Sequence, residues 1–285
     1  MADLAYESVV WAGGGNRCLW QVGFWEVVGP HLPRPPRVVA GVSAGATMAC
    51  LMYGEVEDRA RAEFSRATAQ VKRNFDPSQL LRGERPFPHL RVYSGILRAA
   101  LDQAALERLR QGPEIRVLVA VPPSWCGPVT GAVLGILLYS LEKALLSPLH
   151  PRWPALFGFV PRVARVADCS TAEDLVQLLL ATSCTPPFLP PMYQNGRPVL
   201  DGGLIDNVPV AALRPADTPS LVLLTRRYRP ELLTGHSGRT YLMPSSPIGI
   251  QKWDYTNPSG AEDARRLGRE DGLRFLERGP AALQR

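Results

Sequence analysis

Residues 9–25 read VVWAGGGNRCLWQVGFW, and this stretch decides how the rest of the chain is read. An apolar run enters Gly13, Gly14 and Gly15, then leaves through Asn16 and Arg17 into a segment whose Leu19, Val22 and Val27 lie at helical spacing. Three glycines in a row lose much chain entropy on folding, so some group is expected to approach the backbone closely there. Residues 8–12 read as a short buried strand and residues 18–28 as a helix. The segment GPHLPRPP then breaks the chain. Residues 37–41 form a second apolar run, and residues 44–53 a second helix rich in small side chains. This is a β-α-β-α unit.

Working outward, IRVLVAV and SLVLLTRR read as further strands. The charged segments 55–75 and 93–111 read as surface helices. Ser170 before Glu173 and Ser259 before Glu262 fit capping boxes that open two more helices. Strands alternating with helices predict a layered α/β fold with a largely parallel sheet. With no repeat, low-complexity tract or linker, residues 1–285 read as one domain.

The second signal is GVSAG at residues 41–45, a G-x-S-x-G pattern between strand and helix. A serine on such a turn projects its hydroxyl from the sheet, and flanking glycines relieve crowding. Parallel strands joined by right-handed crossovers end on the same sheet edge, so Gly13–Gly15 and Ser43 are expected side by side. Glycine amides beside a nucleophilic serine suit an oxyanion hole, where a side chain would obstruct the substrate carbonyl. The competing reading of the glycines is close helix–strand packing. A phosphate loop lacks its lysine here.

A serine nucleophile needs a base. Four histidines are present: His31, His89 and His150 in proline-rich stretches, and His236 in TGHSG. Asp201, in GRPVLDGGLIDNVPV, ends a short strand before two glycines. Burial would raise its pKa and make it a better base. A helix is expected near Asn207, with Asp206 a capping or turn residue.

The bulk composition is that of an ordinary globular protein. The chain has 285 residues, 46% hydrophobic and 20% charged, with a net charge of +6. The excess suits an anionic partner or simple solubility. Only Lys72, Lys143 and Lys252 are lysines, and no long basic tract occurs, so nucleic acid is not an expected partner. Five cysteines, at 18, 50, 126, 169 and 184, show no zinc spacing and suit a reducing compartment. MADLAYESVVW has two acids and no basic run, so a secretory signal is not expected and a cytoplasmic location is. Residues 117–141 carry no charge, but Pro122, Pro123, Gly127 and Pro128 interrupt them. They read as strand, turn and apolar helix (129–146) rather than a membrane span. Core is the plain expectation for that helix, and a lid beside an apolar substrate the alternative.

GGGNRCLWQVG, GVSAG and DGGLIDNVPV, in this order, together with LLLATSCTPPFLPPMY, resemble the patatin-like phospholipase family over about residues 7–210. Residues 211–285 then form a C-terminal extension. The resemblance implies a three-layer α/β/α fold. It also implies a Ser-Asp dyad with Ser43 as nucleophile and Asp201 as base, an oxyanion loop of Gly13, Gly14 and Gly15, and no metal or cofactor. The expected reaction is hydrolysis of phospholipid or other lipid esters through an acyl-serine, with possible peripheral membrane contact. Cys18 stands where the family usually has glycine. Two alternatives are a Ser43–His236–Asp201 hydrolase and a catalytically silent lipid-binding protein. Transfer of the acyl group to an acceptor other than water also stays open.

Overall fold

A computed structural model describes residues 5–285; residues 1–4, part of the stretch read for a secretory signal, lie outside it. The expected opening unit is present. Strand β1 (Ser8–Trp11) leads through a 3-10 turn at Gly15–Cys18 into α1 (Leu19–Val28), then β2 (Val38–Val42) and α2 (Ala44–Tyr53). Helix α3 (Glu57–Thr68) follows. The charged stretch read as one helix after it is two, α4 (His89–Ala100) and α5 (Gln103–Gln111), because the extended pair Leu101–Asp102 separates them and Asp102 caps the second. Next come β3 (Glu114–Val121), α6 (Pro128–Leu146), α7 (Trp153–Leu156), β4 (Val160–Arg165), α8 (Ala172–Thr182), β5 (Met192–Gln194) and β6 (Arg197–Asp201). The chain closes with β7 (Ser220–Leu223), β8 (Arg239–Leu242) and α9 (Pro258–Arg278).

Both capping boxes shift in detail. Helix α8 is capped by Thr171 with Asp174, one position beyond the predicted pair. Helix α9 starts after Asn257, whose side chain accepts from the Gly260 amide, so Ser259 lies inside the helix. Asn207 opens no helix; only short 3-10 turns flank it, at Gly202–Leu204 and Val210–Ala212.

The sheet order is β5-β6-β3-β2-β1-β7-β8, with β4 also on β3. Strands β3, β2, β1, β7 and β8 are mutually parallel. Strands β4 and β6 run antiparallel to β3, and β5 antiparallel to β6. One junction fixes the site. Residues 116–118 of β3 pair with both β2 and β4, and residues 119–120 pair with both β4 and β6. A strand residue has only two pairing sides, so β2 and β6 lie in line on the same edge of β3. They approach from opposite directions: Val42 pairs with Leu118 and Asp201 with Val119. The C-terminal ends of β2 and β6 therefore meet head to head.

The central strands are buried on both faces, which explains their continuous apolar runs. Val9 and Trp11 face a large cluster with Trp20 and Phe24 of α1, Cys50 of α2, Leu106 of α5 and Phe275 of α9. Val10 and Ala12 face a smaller cluster with Leu149, Val208, Leu233 and Tyr241. Helix α6 extends that second layer, packing Ala132 and Leu138 against Ala120 and Leu200. The result is a three-layer α/β/α arrangement with one thick and one thin outer layer.

Candidate active site

Ser43 sits on the turn between β2 and α2 with φ 53° and ψ −137°. For a residue with a side chain, this left-handed backbone costs on the order of 1–3 kcal/mol, so the surroundings must hold it. The Ser43 amide donates to Thr182 Oγ1 at 2.9 Å, and the Thr182 hydroxyl donates to the Leu118 carbonyl. Gly45 lets α2 approach β1 closely, since a Cβ there would lie 2.4 Å from the Ala12 carbonyl oxygen. The turn aims the hydroxyl at the β2–β6 junction. Ser43 Oγ donates to Asp201 Oδ2 at 2.8 Å.

The other carboxylate oxygen of Asp201 accepts from the Gly203 amide at 2.7 Å. Burial of the carboxyl raises its pKa above the usual aspartate range; the bonds from Gly203 and Ser43 and the charge of Lys252 oppose the rise. A carboxylate moved upward in this way is better matched to accepting a hydroxyl proton than a solvated aspartate.

The glycine loop lies at the end of β1, beside Ser43, as expected. The reason for its composition differs from the expectation. Cβ atoms at Gly13, Gly14 and Gly15 would come within 2.6 Å of Asn207 Oδ1, 2.6 Å of Thr225 Oγ1 and 2.2 Å of the Lys252 carbonyl oxygen. Protein groups, rather than a substrate, fill the space. Gly15 also has φ +59°. Gly13 is pinned on both sides: its amide donates to the Asn207 carbonyl at 2.9 Å, and its carbonyl accepts from Asn207 Nδ2 and Thr225 Oγ1. Its N–H is thus committed. The amides of Gly14 and Gly15 carry no such bond among the described residues.

A cavity of about 140 Å³ opens at Ser43. It runs along α2 past Thr47 and Met48 to Leu51, with Phe64 of α3 and Ile96 of α4 opposite. The Arg265–Glu57 ion pair (3.0 Å) lies beyond Leu51. Its walls are mainly apolar.

A family model for patatin-like phospholipase matches residues 9–214. The chain belongs to the patatin-like phospholipase family. No curated protein matches it. Among solved structures, the crystal structure of VipD from Legionella pneumophila is similar, with 11% identity over 95% of this chain and 67% of that one, and a TM-score of 0.48.

Among the described residues of this patatin-like chain, no histidine bonds Ser43 or Asp201. His236 Nε2 bonds the Leu232 carbonyl, and its ring packs 4.8 Å from that of Tyr241. His150 lies between Asp206 (2.7 Å) and the Tyr241 hydroxyl (3.0 Å). Asp206 is therefore a buried partner of His150 as well as the turn residue expected, accepting from the Val208 amide. His89 opens α4 rather than lying in a loop. It bonds the Tyr255 hydroxyl, lines the cavity, and has its pKa lowered to about 4 by burial. His31 bonds the Val27 carbonyl. Among the described residues, no cluster of three or more His, Cys, Asp or Glu is placed to hold a metal ion.

Sequence reading missed Thr182, Thr225, Lys252 and Tyr255, and passed over Asn207 inside the DGG segment. Three of these lie beyond residue 210, in the C-terminal extension. Helix α6 also departs from expectation. Only a narrow stripe (Gly131, Ala132, Gly135, Leu138, Glu142) is buried, whereas Val133, Leu137, Leu141 and Leu145 are exposed. At 19 residues and mean hydropathy 1.6 it is long and apolar enough to cross a membrane by those measures alone.

Proposed function

We propose that this protein is a lipid acyl hydrolase of phospholipase A or lysophospholipase type, working through a Ser43–Asp201 dyad. The observation that carries the reading is the 2.8 Å bond from Ser43 Oγ to Asp201 Oδ2 at a left-handed serine. Asp201 takes the hydroxyl proton as Oγ attacks the ester carbonyl. The resulting oxyanion is met by the Gly14 and Gly15 amides, with α2 pointing its N-terminal amides the same way. Collapse expels the alcohol, which receives the proton, and leaves an acyl-serine. A water activated by the same carboxylate hydrolyses it.

The cavity along α2 receives the acyl chain. An apolar cavity of about 150 Å³ holds a benzene-sized ring, so a chain of roughly six carbons fits without rearrangement. Lys252, Trp253 and Tyr255 help enclose it, which supports reading 1–285 as one catalytic domain. The exposed apolar face of α6 supports peripheral contact with a bilayer. Five free, buried cysteines suit the cytoplasm.

The test is product profiling on mixed phospholipids, wild type against Ser43→Ala. Release of fatty acid by wild type only is expected. Equal release by both would refute the reading. Transfer to added alcohol or lysolipid in place of fatty acid would make it an acyltransferase.

A further inference from the structure

The cavity at Ser43 is mainly apolar, but five of its lining residues join into one polar patch: Thr47 of α2, His89 and Tyr93 of α4, Ser183 just after α8, and Tyr255 before α9. The Tyr93 hydroxyl bonds Thr47 Oγ1 and, at 3.0 Å, Ser183 Oγ. The His89 ring stacks on that of Tyr93 with centroids 5.3 Å apart and bonds the Tyr255 hydroxyl through Nδ1. Thr47, His89, Ser183 and Tyr255 are buried.

Each of the four hydroxyls has one hydrogen to donate. His89, kept neutral by burial, has one N–H. These five hydrogens share three bonds, so two find no acceptor among the described residues. Whichever way the hydroxyls point, one hydrogen is left over from Thr47, Tyr93 and Ser183, and another from the His89–Tyr255 pair. A plain hydrocarbon chain lying against them offers no acceptor, and a buried donor without one is penalised.

The patch sits at a set distance from the nucleophile. Thr47 is one helical turn beyond Ser43, its amide donating to the Ser43 carbonyl at 3.3 Å, which puts it about 6 Å along α2. An extended chain advances roughly 1.2 Å per backbone bond. The acyl carbon that passes Thr47 is therefore about four or five bonds from the ester carbonyl.

We propose that the preferred acyl group carries an oxygen there, as a keto or hydroxyl group, and that the Thr47–Tyr93–Ser183 hydroxyls donate to it. This rests on the acyl-hydrolase reading and specifies its acyl half as an oxygenated chain rather than a plain fatty acid.

The test uses the full chain carrying Ser43→Ala, so binding is read without turnover. Calorimetry compares ethyl 5-oxohexanoate with ethyl 5-methylhexanoate, in which a methyl group replaces the keto oxygen, and with the isomer ethyl 3-oxohexanoate, whose oxygen falls short of Thr47. The 5-oxo ester should bind roughly tenfold tighter than either. Adding Thr47→Val and Tyr93→Phe together should reverse the order against the methyl ester, because a carbonyl stripped of water without gaining a donor is penalised. Should that protein melt early, either substitution alone should narrow the gap. Equal affinity for the 5-oxo and 5-methyl esters, equal affinity for the two keto isomers, or a gap that none of the substitutions moves overturns the proposal. Wild-type hydrolysis of the same esters is assayed in parallel. Turnover with no binding preference refutes the oxygen site alone, whereas a preference without turnover refutes the hydrolase reading alone.

Discussion

Asp201→Asn separates proton transfer from every other part of the site. The amide oxygen can still accept from the Ser43 hydroxyl now 2.8 Å from Oδ2, or from the Gly203 amide at 2.7 Å, so the geometry has no reason to collapse. What the variant cannot do is take a proton. General-base catalysis contributes about 10²–10⁴ in rate, or about 3–5 kcal/mol of barrier at ~1.4 kcal/mol per decade. The loss should appear in kcat, since the substrate contacts are untouched. Stability should move the other way. Folding raises the Asp201 pKa, so the folded state binds this proton more tightly than the unfolded chain, and ionising the group costs stability as pH rises through the raised value. Asparagine resembles the protonated form, so the variant should melt at or above the wild type at neutral pH. The assay is initial-rate hydrolysis of a hexanoyl ester beside differential scanning calorimetry. Activity within about tenfold of wild type, in a folded variant, would refute Asp201 as the base. The Ser43→Ala/Asp201→Asn double variant should be little worse than either single, because the pair acts as one unit.

Three further outcomes follow from the same geometry. With Asp201 as the proposed base, only its ionised form can accept the proton, so kcat/KM should fall on the acid side with a midpoint above the ordinary aspartate value of about 3.9; a limb at or below that value contradicts the burial argument. Substituting His31, His150 or His236 singly, or adding EDTA, should leave hexanoyl-ester turnover within severalfold; abolition by His236→Ala in a folded protein would favour a triad. Acyl-chain profiles should peak near six carbons, and Ala60→Leu, which adds bulk to the cavity wall between Glu57 and Phe64, should shift the peak to shorter chains; an unchanged profile would place the acyl chain elsewhere.

The opening unit was legible because its physics is local. Strands buried on both faces give unbroken apolar runs, and glycines mark the turns after β1 and around Ser43. Asp201 was legible from the glycines that follow it. What joins these pieces was not. The head-to-head meeting of β2 and β6 depends on β6 running antiparallel to β3, and no residue of RPVLD encodes direction. Thr182 and Thr225 act across 139 and 212 residues, where sequence spacing carries no signal. The packing that also demands glycine at these three positions was not legible for the same reason, since the groups that crowd them come from distant segments. Alanine at any of the three would meet Asn207, Thr225 or Lys252 before it disturbed a substrate, so glycine scanning is a poor probe of the oxyanion amides. Helix α6 shows a different limit: apolar composition does not reveal whether a helix faces the core or the outside. The capping boxes slipped by one residue at α8 because Ser170–Glu173 and Thr171–Asp174 offer the same spacing in adjacent frames, and the Thr171 frame is the one whose side chains bond.

The central claim is that Ser43 is the nucleophile, activated by Asp201. Reaction with a fluorophosphonate ester bearing a hexyl chain, followed by peptide mass spectrometry, addresses it most directly, because the reagent bonds only an activated serine. The account predicts one adduct, on Ser43, formed quickly by wild type and slowly by Asp201→Asn, with activity lost in proportion to labelling. A folded, active protein that stays unlabelled at Ser43, or whose Ser43 is labelled equally fast without Asp201, would contradict it.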